Sequence, residues 1–314
     1  MYHTKRVALV LPAYNEEVLI VPTIERAPEI IDKIFVVNDG STDKTADLVI
    51  KKSITDKRVE LVNQPRNLGL GQAIITGYLT AAKQGYDYIV VAGGDNQMPL
   101  EMTDKLLDPL VERRADYAKG NRFFRNDQAI NKMPRLRMAV NSLMSFAAKI
   151  ASGYYHIFDV VDGFTVITRE AVEAIDWTKA WKGYGYNTDY LIRLNAAGFK
   201  VVDVSRPAIY LDGVRQSQIK AFHYAVTVGP MIIRGFFWRL WHKYFIRNFH
   251  PLFFFYWAGI TLFPAGVIFS IYLVINKFTI DTVTGGKAIF AALLLIFGFQ
   301  SLLFAMWFDK EESK

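Results

Sequence analysis

The chain has no cysteine, which excludes disulfides and thiolate metal sites. Acidic residues are missing from a long stretch near its end. None occurs between Asp212 and Asp281, where Arg215, Lys220, Arg234, Arg239, Lys243 and Arg247 all lie. Charge of either sign is missing from Pro251–Ile275 and from Ala288–Phe308. At ~1.5 Å per residue, a helix of either length crosses a ~30 Å hydrocarbon core. Uncharged runs of this length rarely suit a soluble core, so two membrane helices are expected. Pro264 is tolerated in one if a neighbouring helix or water satisfies the freed carbonyl. The start, "MYHTKRVALVLPAYNEE", has a short apolar run and then turns acidic, so it is not expected to act as a signal peptide. Residues 1–220 are therefore expected to stay in the cytoplasm. No internal repeat or low-complexity linker interrupts the chain.

Hydrophobic residues make up 52% and the mean hydropathy is +0.14, an excess that the two terminal runs absorb. The net charge is +7. Basic residues before the first membrane run place that side in the cytoplasm. They interleave with aromatics in "GFFWRLWHKYF", a pattern suited to a membrane interface. Nucleic acid is accordingly not expected as a partner. The reading divides the chain into a catalytic domain at 1–220, juxtamembrane amphipathic helices at 221–250, and a two-helix membrane region with a short cytoplasmic tail at 251–314.

The first half alternates apolar runs with helical patterns, as α/β domains do. Val7–Leu11, Ile34–Val37, Val59–Val62 and Tyr88–Ala92 read as strands, and their lack of polar alternation predicts a sheet covered on both faces. Thr42–Lys52, Leu70–Gln84, Leu100–Glu112, Arg135–Ala151 and Thr188–Ala197 read as helices, the last stopped by Gly198. Four strand ends carry polar residues: "LPAYNEE", "VVNDGSTDKT", "NQPRNLGLGQA" and "AGGDNQMP". Open parallel sheets bind ligands at such ends. In the last, glycines at 93 and 94 present one carboxylate, Asp95, with Gln97 two residues on. If the chain there is extended, both side chains face one way. A turn after the strand is the simpler alternative for the same residues.

These four stretches resemble a family 2 glycosyltransferase with the GT-A fold, a Rossmann-like nucleotide-diphospho-sugar transferase domain. "DVVDGFTVITREAV", "YGYNTDYLIRLNAAGFKVVDV" and "RGFFWRLWHKYFIRNFHP" resemble the polyprenyl-phosphate sugar synthases, such as the dolichyl-phosphate mannose synthases. The family usually carries Asp-x-Asp-x-Gln at the fourth strand end, and Gly93 stands in place of the first Asp. The resemblance implies a nucleotide-sugar donor and a Mg²⁺ or Mn²⁺ ion. Mg²⁺ commonly takes one or two protein carboxylates beside phosphates and waters, a role open to Asp95 with Gln97 beside it.

The resemblance further implies donor contacts at Pro12, Tyr14, Asn15, Glu16, Asp39, Gly71 and Asp95. Tyr14 could instead cover the sheet edge, and Gly69 and Gly71 could form a plain turn. Arg122, Arg137 and Asn141 match positions that hold an acceptor phosphate in relatives, with Ser often standing where Asn141 does. Arg135 and Arg137 could equally be solvated helix charges. Asp159 matches the acidic group of the "DVVDGF" motif and is assigned, with Asp95, to the catalytic set; Asp162 and Asp189 are alternatives that could be turn or cap residues.

The expected activity is transfer of one hexose, from GDP-mannose or a UDP-hexose, to a polyprenyl phosphate on the cytoplasmic leaflet, with inversion at the anomeric carbon. A homo-oligomer is compatible with such an anchor. A processive polysaccharide synthase would carry Gln-x-x-Arg-Trp, which is absent. A membrane-anchored, inactive nucleotide-sugar-binding scaffold is the remaining alternative, kept open by Gly93.

Overall fold

The computed structural model of the chain describes residues 1–122, 135–207, 209, 221–279 and 283–313; at 135–141 and 221–224 it describes the backbone alone. Two compact units form, Met1–Phe236 and Phe237–Lys314.

In the first unit β1 (Val7–Ala13) is buried along its whole length. Its side chains alternate between two apolar layers. Val7, Leu9 and Leu11 enter one with Ile20, Ile24, Val49, Leu106 and Leu107. Ala8 and Val10 enter the other with Ile74, Tyr78, Trp177 and Tyr190. Period-2 geometry with apolar residues on both sides is what a doubly covered sheet requires. The covering helices on the first layer are α1 (Ile20–Glu25), α2 (Thr45–Thr55) and α4 (Thr103–Val111). On the second they are α3 (Leu70–Lys83), α6 (Arg169–Ala174) and α7 (Tyr186–Ala197). A helix α5 (Arg135–Ser152) precedes α6, and α8 (Ala221–Arg239) follows α7. Leu9 is fully buried, so Leu9→Ala should cost about 2–5 kcal/mol.

β2 (Lys33–Asn38), β3 (Val59–Asn63) and β4 (Tyr88–Val91) lie where the apolar runs place them. Three further strands were not anticipated: β5 (Tyr117–Asn121), β6 (Thr165–Thr168) and β7 (Val201–Ser205). The sheet order among the described residues is β3-β2-β1-β4-β6-β5-β7. β6 runs antiparallel to β4 and β5, and every other neighbouring pair is parallel. The start of β6 therefore shares one sheet edge with the ends of the other strands. Gly198, at φ +89°, caps α7 in the left-handed conformation, which glycine enters without a Cβ penalty.

Helix α2 begins at Thr45, three residues later than the periodicity suggests. The Thr42 N–H donates to Asn15 Oδ1 at 2.8 Å and the Ser41 N–H to Asn38 Oδ1 at 3.1 Å. Those bonds hold 41–42 in a loop and remove them from the helix.

In the second unit a π-helical segment, Leu240–Arg247, leads towards two long helices, α9 (Leu252–Thr279) and α10 (Gly285–Glu311). Their most apolar windows have hydropathies of 2.1 and 2.3 and are only 17% buried, unlike core helices of a soluble protein. Both are long and apolar enough to cross a membrane. They pack closely because of glycine: a Cβ at Gly298 would lie 2.4 Å from Phe263 N, and one at Gly259 2.5 Å from Leu302 Cγ. Arg239 donates to both oxygens of Asp309 at 2.7 Å, and Tyr244 and Tyr256 hydroxyls also donate to that carboxylate. Within the second unit this buried pair ties Arg239 to the end of α10.

Candidate active site

The shared sheet edge collects the polar strand ends. After β1, Tyr14 is exposed and Asn15 is left-handed at φ 56°. Asn15 N–H donates to Ser41 Oγ at 3.0 Å and Glu16 N–H to Thr45 Oγ1 at 2.9 Å. The loop after β1 is thereby fastened to the loop after β2. Pro12 lies within β1, buried, and its carbonyl accepts from Gly94 N–H at 3.3 Å. That bond sets the start of the Asp95 turn against the end of β1.

Asp39 is buried and uses both oxygens, accepting from Leu68 N–H at 2.7 Å and Gly69 N–H at 3.0 Å. It orders the loop that opens α3. Gly69 (φ +99°) and Gly71 allow that loop to meet a distant backbone. A Cβ at Gly69 would lie 2.6 Å from Lys182 O, and one at Gly71 2.6 Å from Trp181 O. Gln72 N–H donates to Lys182 O at 3.1 Å. Asp189, one of the alternatives to Asp159, accepts from Trp181 N–H at 2.8 Å and pairs with Arg193 at 2.7 Å. It therefore holds the same Trp181–Lys182 segment in place.

The Asp95 turn differs from the extended chain expected. Asn96 is left-handed at φ 57°, held by Arg26 Nη1 donating to its Oδ1 at 2.7 Å. The kink presents the Gln97 N–H, rather than its side chain, to Asp95 Oδ1, at 3.3 Å. Asp95 forms no ion pair among the described residues, and burial pushes its pKa up, opposed by the Gln97 N–H, its own N–H and the charge of Arg206. A withdrawn carboxylate without a bound counter-charge fits a cation. No group of three acidic, His or Cys residues placed for a metal occurs among the described residues. A cation here would need oxygen ligands from a bound molecule such as a diphosphate.

Across β6 from that turn lies a cluster of charges. Arg122 donates through Nε to Asp159 Oδ2 at 2.7 Å and through Nη2 to Oδ1 at 3.1 Å. Burial alone would raise Asp159; the Arg122 bonds and charge, with Lys119, outweigh it and hold the carboxyl below its ordinary value. Asp162 accepts from Arg206 Nε at 2.8 Å and from Phe164 N–H at 2.8 Å. Lys119 Nζ donates to the Asp159 carbonyl. Asp203 accepts from Asn121 Nδ2 at 2.9 Å and Phe158 N–H at 2.6 Å. Burial lowers Lys119 and raises Asp203. Among the described residues, three cations and three carboxylates thus form one connected cluster. Lys119 is 0% exposed and the Arg206 side chain 5%, whereas the Arg122 side chain is 33% exposed. An arriving anion therefore meets Arg122 first.

The structure brings Arg122 and Asp159 into direct contact and places Asp95 at the same edge. The Arg137 and Asn141 side chains lie outside the described residues. Lys119, Asp203 and Arg206 were missed because β5 and β7 were missed. The available signal was a charge inside short β-rich stretches, Lys119 in "DYAKGN" and Asp203 in "VVDVS".

Residues 8–176 match the family described as glycosyl transferase family 2. The chain is 30% identical over 207 residues to a polyprenol monophosphomannose synthase of Mycolicibacterium smegmatis, covering 64% of this chain and 76% of that protein. It is 28% identical over 202 residues to an undecaprenyl-phosphate mannosyltransferase of Micrococcus luteus, covering 63% and 82%. It is 25% identical over 251 residues to a UDP-N-acetylglucosamine–dolichyl-phosphate N-acetylglucosaminyltransferase of Methanococcus voltae, covering 75% and 95%. Among solved structures, the glucosyl-3-phosphoglycerate synthase of Mycobacterium tuberculosis, crystallised with Mn²⁺, UDP-glucose and phosphoglyceric acid, has the same fold. The TM-score is 0.52 at 19% identity, over 75% of this chain and 80% of that one. The mixed sheet with polar strand ends on one edge, and the family match over more than half the chain, agree: the chain belongs to glycosyl transferase family 2 and is a glycosyltransferase.

Proposed function

We propose that the chain transfers one hexose from a nucleotide sugar to a polyprenyl phosphate, as a membrane-anchored enzyme with its first unit and both termini in the cytoplasm. The observation that carries this is Arg122. Among the described residues it is the partly exposed cation of an otherwise buried charge cluster, at the edge that also holds Asp95. The relatives' names supply the acceptor class. The acid-free, basic stretch before α9 supports the orientation.

A Mg²⁺ or Mn²⁺ ion held by Asp95, with Gln97 adjacent, would supply positive charge to the donor diphosphate. The Asp39-ordered loop and the Pro12–Glu16 loop form the donor side of the edge. Arg122 holds the acceptor phosphate, and Asp159 fixes the guanidinium plane from below. A phosphate monoester has a second pKa of ~6 and is already an anion at neutral pH. The chain therefore needs no strong base. It needs cations to overcome repulsion between acceptor and donor, and alignment for in-line attack with inversion. GDP-mannose and UDP-hexoses are the candidate donors.

A thermal-shift panel of GDP- and UDP-sugars with Mn²⁺ tests the donor assignment. A ligand of the native state raises stability with the logarithm of its occupancy. One nucleotide should raise the melting temperature, and Asp95→Asn should abolish the rise. A rise of equal size in Asp95→Asn would remove Asp95 from the donor site.

A further inference from the structure

Helix α1 is short, and both of its ends meet the donor side of the sheet edge. At its start the Leu19 and Ile20 N–H groups donate to the Glu16 carbonyl at 3.0 and 2.9 Å, so the helix grows directly out of the loop after β1. At its end Arg26 is the C-cap. Thr23 and Arg26 stand three residues apart and share one side of the helix. Both reach the Asp95 turn. Thr23 Oγ1 shares its proton between the Leu19 carbonyl at 2.7 Å and the Gly94 carbonyl at 3.1 Å. Arg26 Nη1 donates to Asn96 Oδ1 at 2.7 Å and to the Asn96 carbonyl at 3.3 Å. The residues before and after Asp95 are therefore gripped by one helix, while Asp95 between them is left to point into the edge.

The grip matters because of what the turn is made of. Asn96 is left-handed at φ 57°, a conformation that a residue with a side chain keeps only when its surroundings over-determine it. One guanidinium nitrogen holds both the side chain and the carbonyl of that residue. Released, Asn96 would return to right-handed or extended backbone, and Asp95 would turn with it. Asp95 is the only carboxylate between Gly93 and Met98, so no neighbour takes over its place. Arg26 also pairs with Glu101 at 2.8 Å, but the Glu101 side chain is 63% exposed, and a pair so open to water contributes little to stability. The Asn96 contacts are what Arg26 adds.

We propose that Arg26 and Thr23 are positioning residues that hold Asp95 in place for the donor's divalent cation, replacing by rigidity what a second carboxylate would supply by charge. This rests on the reading of Asp95 as the carboxylate for that cation. It deepens that reading by placing the loop after β1 and the Asp95 turn on the two ends of one helix.

The test uses the full chain in detergent. Mn²⁺ binding in the presence of GDP or UDP is read by electron paramagnetic resonance, which needs no turnover. Arg26→Ala should weaken Mn²⁺ binding by about 10–100-fold, the range seen when a partner of a metal ligand is removed. Thr23→Val keeps the shape of a buried side chain, loses the Gly94 bond, and should weaken it by less. Arg26→Lys keeps one donor and should recover part of the loss. Lys52→Ala breaks the Lys52–Glu25 ion pair between α2 and α1 without touching the turn, and should bind as the wild type does. Hydrogen exchange over 93–98, without metal or nucleotide, reads the turn itself: the Gly94 and Gln97 amides should exchange faster in Arg26→Ala than in the wild type. Equal Mn²⁺ affinity in Arg26→Ala and wild type, with none in Asp95→Asn, would overturn the proposal and leave the reading of Asp95 standing. Unchanged exchange in Arg26→Ala would overturn it too, as would an equal loss of Mn²⁺ in Lys52→Ala, which would make the effect a general loosening of α1. Undiminished Mn²⁺ binding in Asp95→Asn would overturn the reading of Asp95, and the role of Arg26 with it.

Discussion

Removing the Arg122 side chain leaves the Asp159 carboxylate, whose side chain is 0% exposed, without its two charge-assisted bonds at 2.7 and 3.1 Å. Breaking a fully buried pair by deleting one partner costs about 3–5 kcal/mol. Arg122 is itself 33% exposed, so water enters the vacated space, and the charge of Lys119 remains. The expected cost of Arg122→Ala is therefore lower, about 2–3 kcal/mol. At about 2–4 °C per kcal/mol for a domain of this size, the melting temperature should fall by ~4–12 °C. Thermal unfolding in detergent, followed by intrinsic fluorescence, reads this. Arg122→Gln combined with Asp159→Asn removes the stranded charge and should recover most of the loss. Activity should not return with stability if Arg122 holds the acceptor phosphate. The pH dependence gives an independent sign. In the wild type Asp159 is held below its ordinary value, so its stabilising contribution is complete above pH ~4 and is lost only as pH falls below that. In Arg122→Ala the carboxylate loses the side-chain bonds and charge that do most to hold it down, leaving only Lys119 and the backbone N–H of residue 122 against burial, so its pKa rises and stability should increase as pH is lowered towards that value. A melting temperature within 1 °C of wild type (about 0.5 kcal/mol or less), or no recovery in the double variant, would refute the reasoning.

Burial raises the pKa of Asp95, so its ionised form destabilises the fold above that pKa and the penalty is relieved as pH falls through it. Asp95→Asn should therefore raise the metal-free melting temperature while abolishing transfer, a pairing that a purely structural Asp would not give. Gly93→Asp restores the relatives' pattern without left-handed backbone, but a Cβ there lies 2.8 Å from Asp95 Oδ1. Its stability should depend on Mn²⁺ more than the wild type's does, as thermal shift would show. Gly71→Ala places a methyl 2.6 Å from Trp181 O and should cost about 1–3 kcal/mol, with weakened donor binding by titration. For orientation, an impermeant thiol reagent on intact cells should label Thr284→Cys, between α9 and α10, and spare Glu311→Cys.

The strands β1, β2 and β4 were legible because each is a short, almost wholly buried apolar run ending in polar residues, whereas β3, at the sheet edge and only partly buried, is marked by Val59, Leu61 and Val62. β5 to β7 were not. "YAKGN" and "VVDVS" carry Lys119, Asn121 and Asp203, whose charges and amides read as loop until one sees that they meet between the paired strands β5 and β7. The same pairing explains what was legible in the site. Asp159 stood out by motif, but its partner Arg122, assigned to the acceptor on separate grounds, turned out to be the group that holds it ionised. The turn at Asn96 was not legible, because it is set by Arg26, seventy residues away. Asp39 and Gly71 were marked as donor residues. Their geometry shows what they do locally: Asp39 fastens a loop amide pair, and Gly71 lets the loop pass close to the Trp181 backbone, which sequence adjacency does not reveal.

The central claim is transfer to a lipid phosphate at the edge shared by Asp95 and Arg122. Its most direct test supplies the purified full chain in nanodiscs with a polyprenyl phosphate, Mn²⁺ and radiolabelled GDP-mannose or UDP-glucose, and counts label extracted into organic solvent. One donor should give lipid-linked label in the wild type, with background counts in Asp95→Asn and a raised acceptor KM in Arg122→Lys. Transfer of label to a water-soluble acceptor with none in the lipid fraction, or lipid-linked label undiminished in Asp95→Asn, would contradict it.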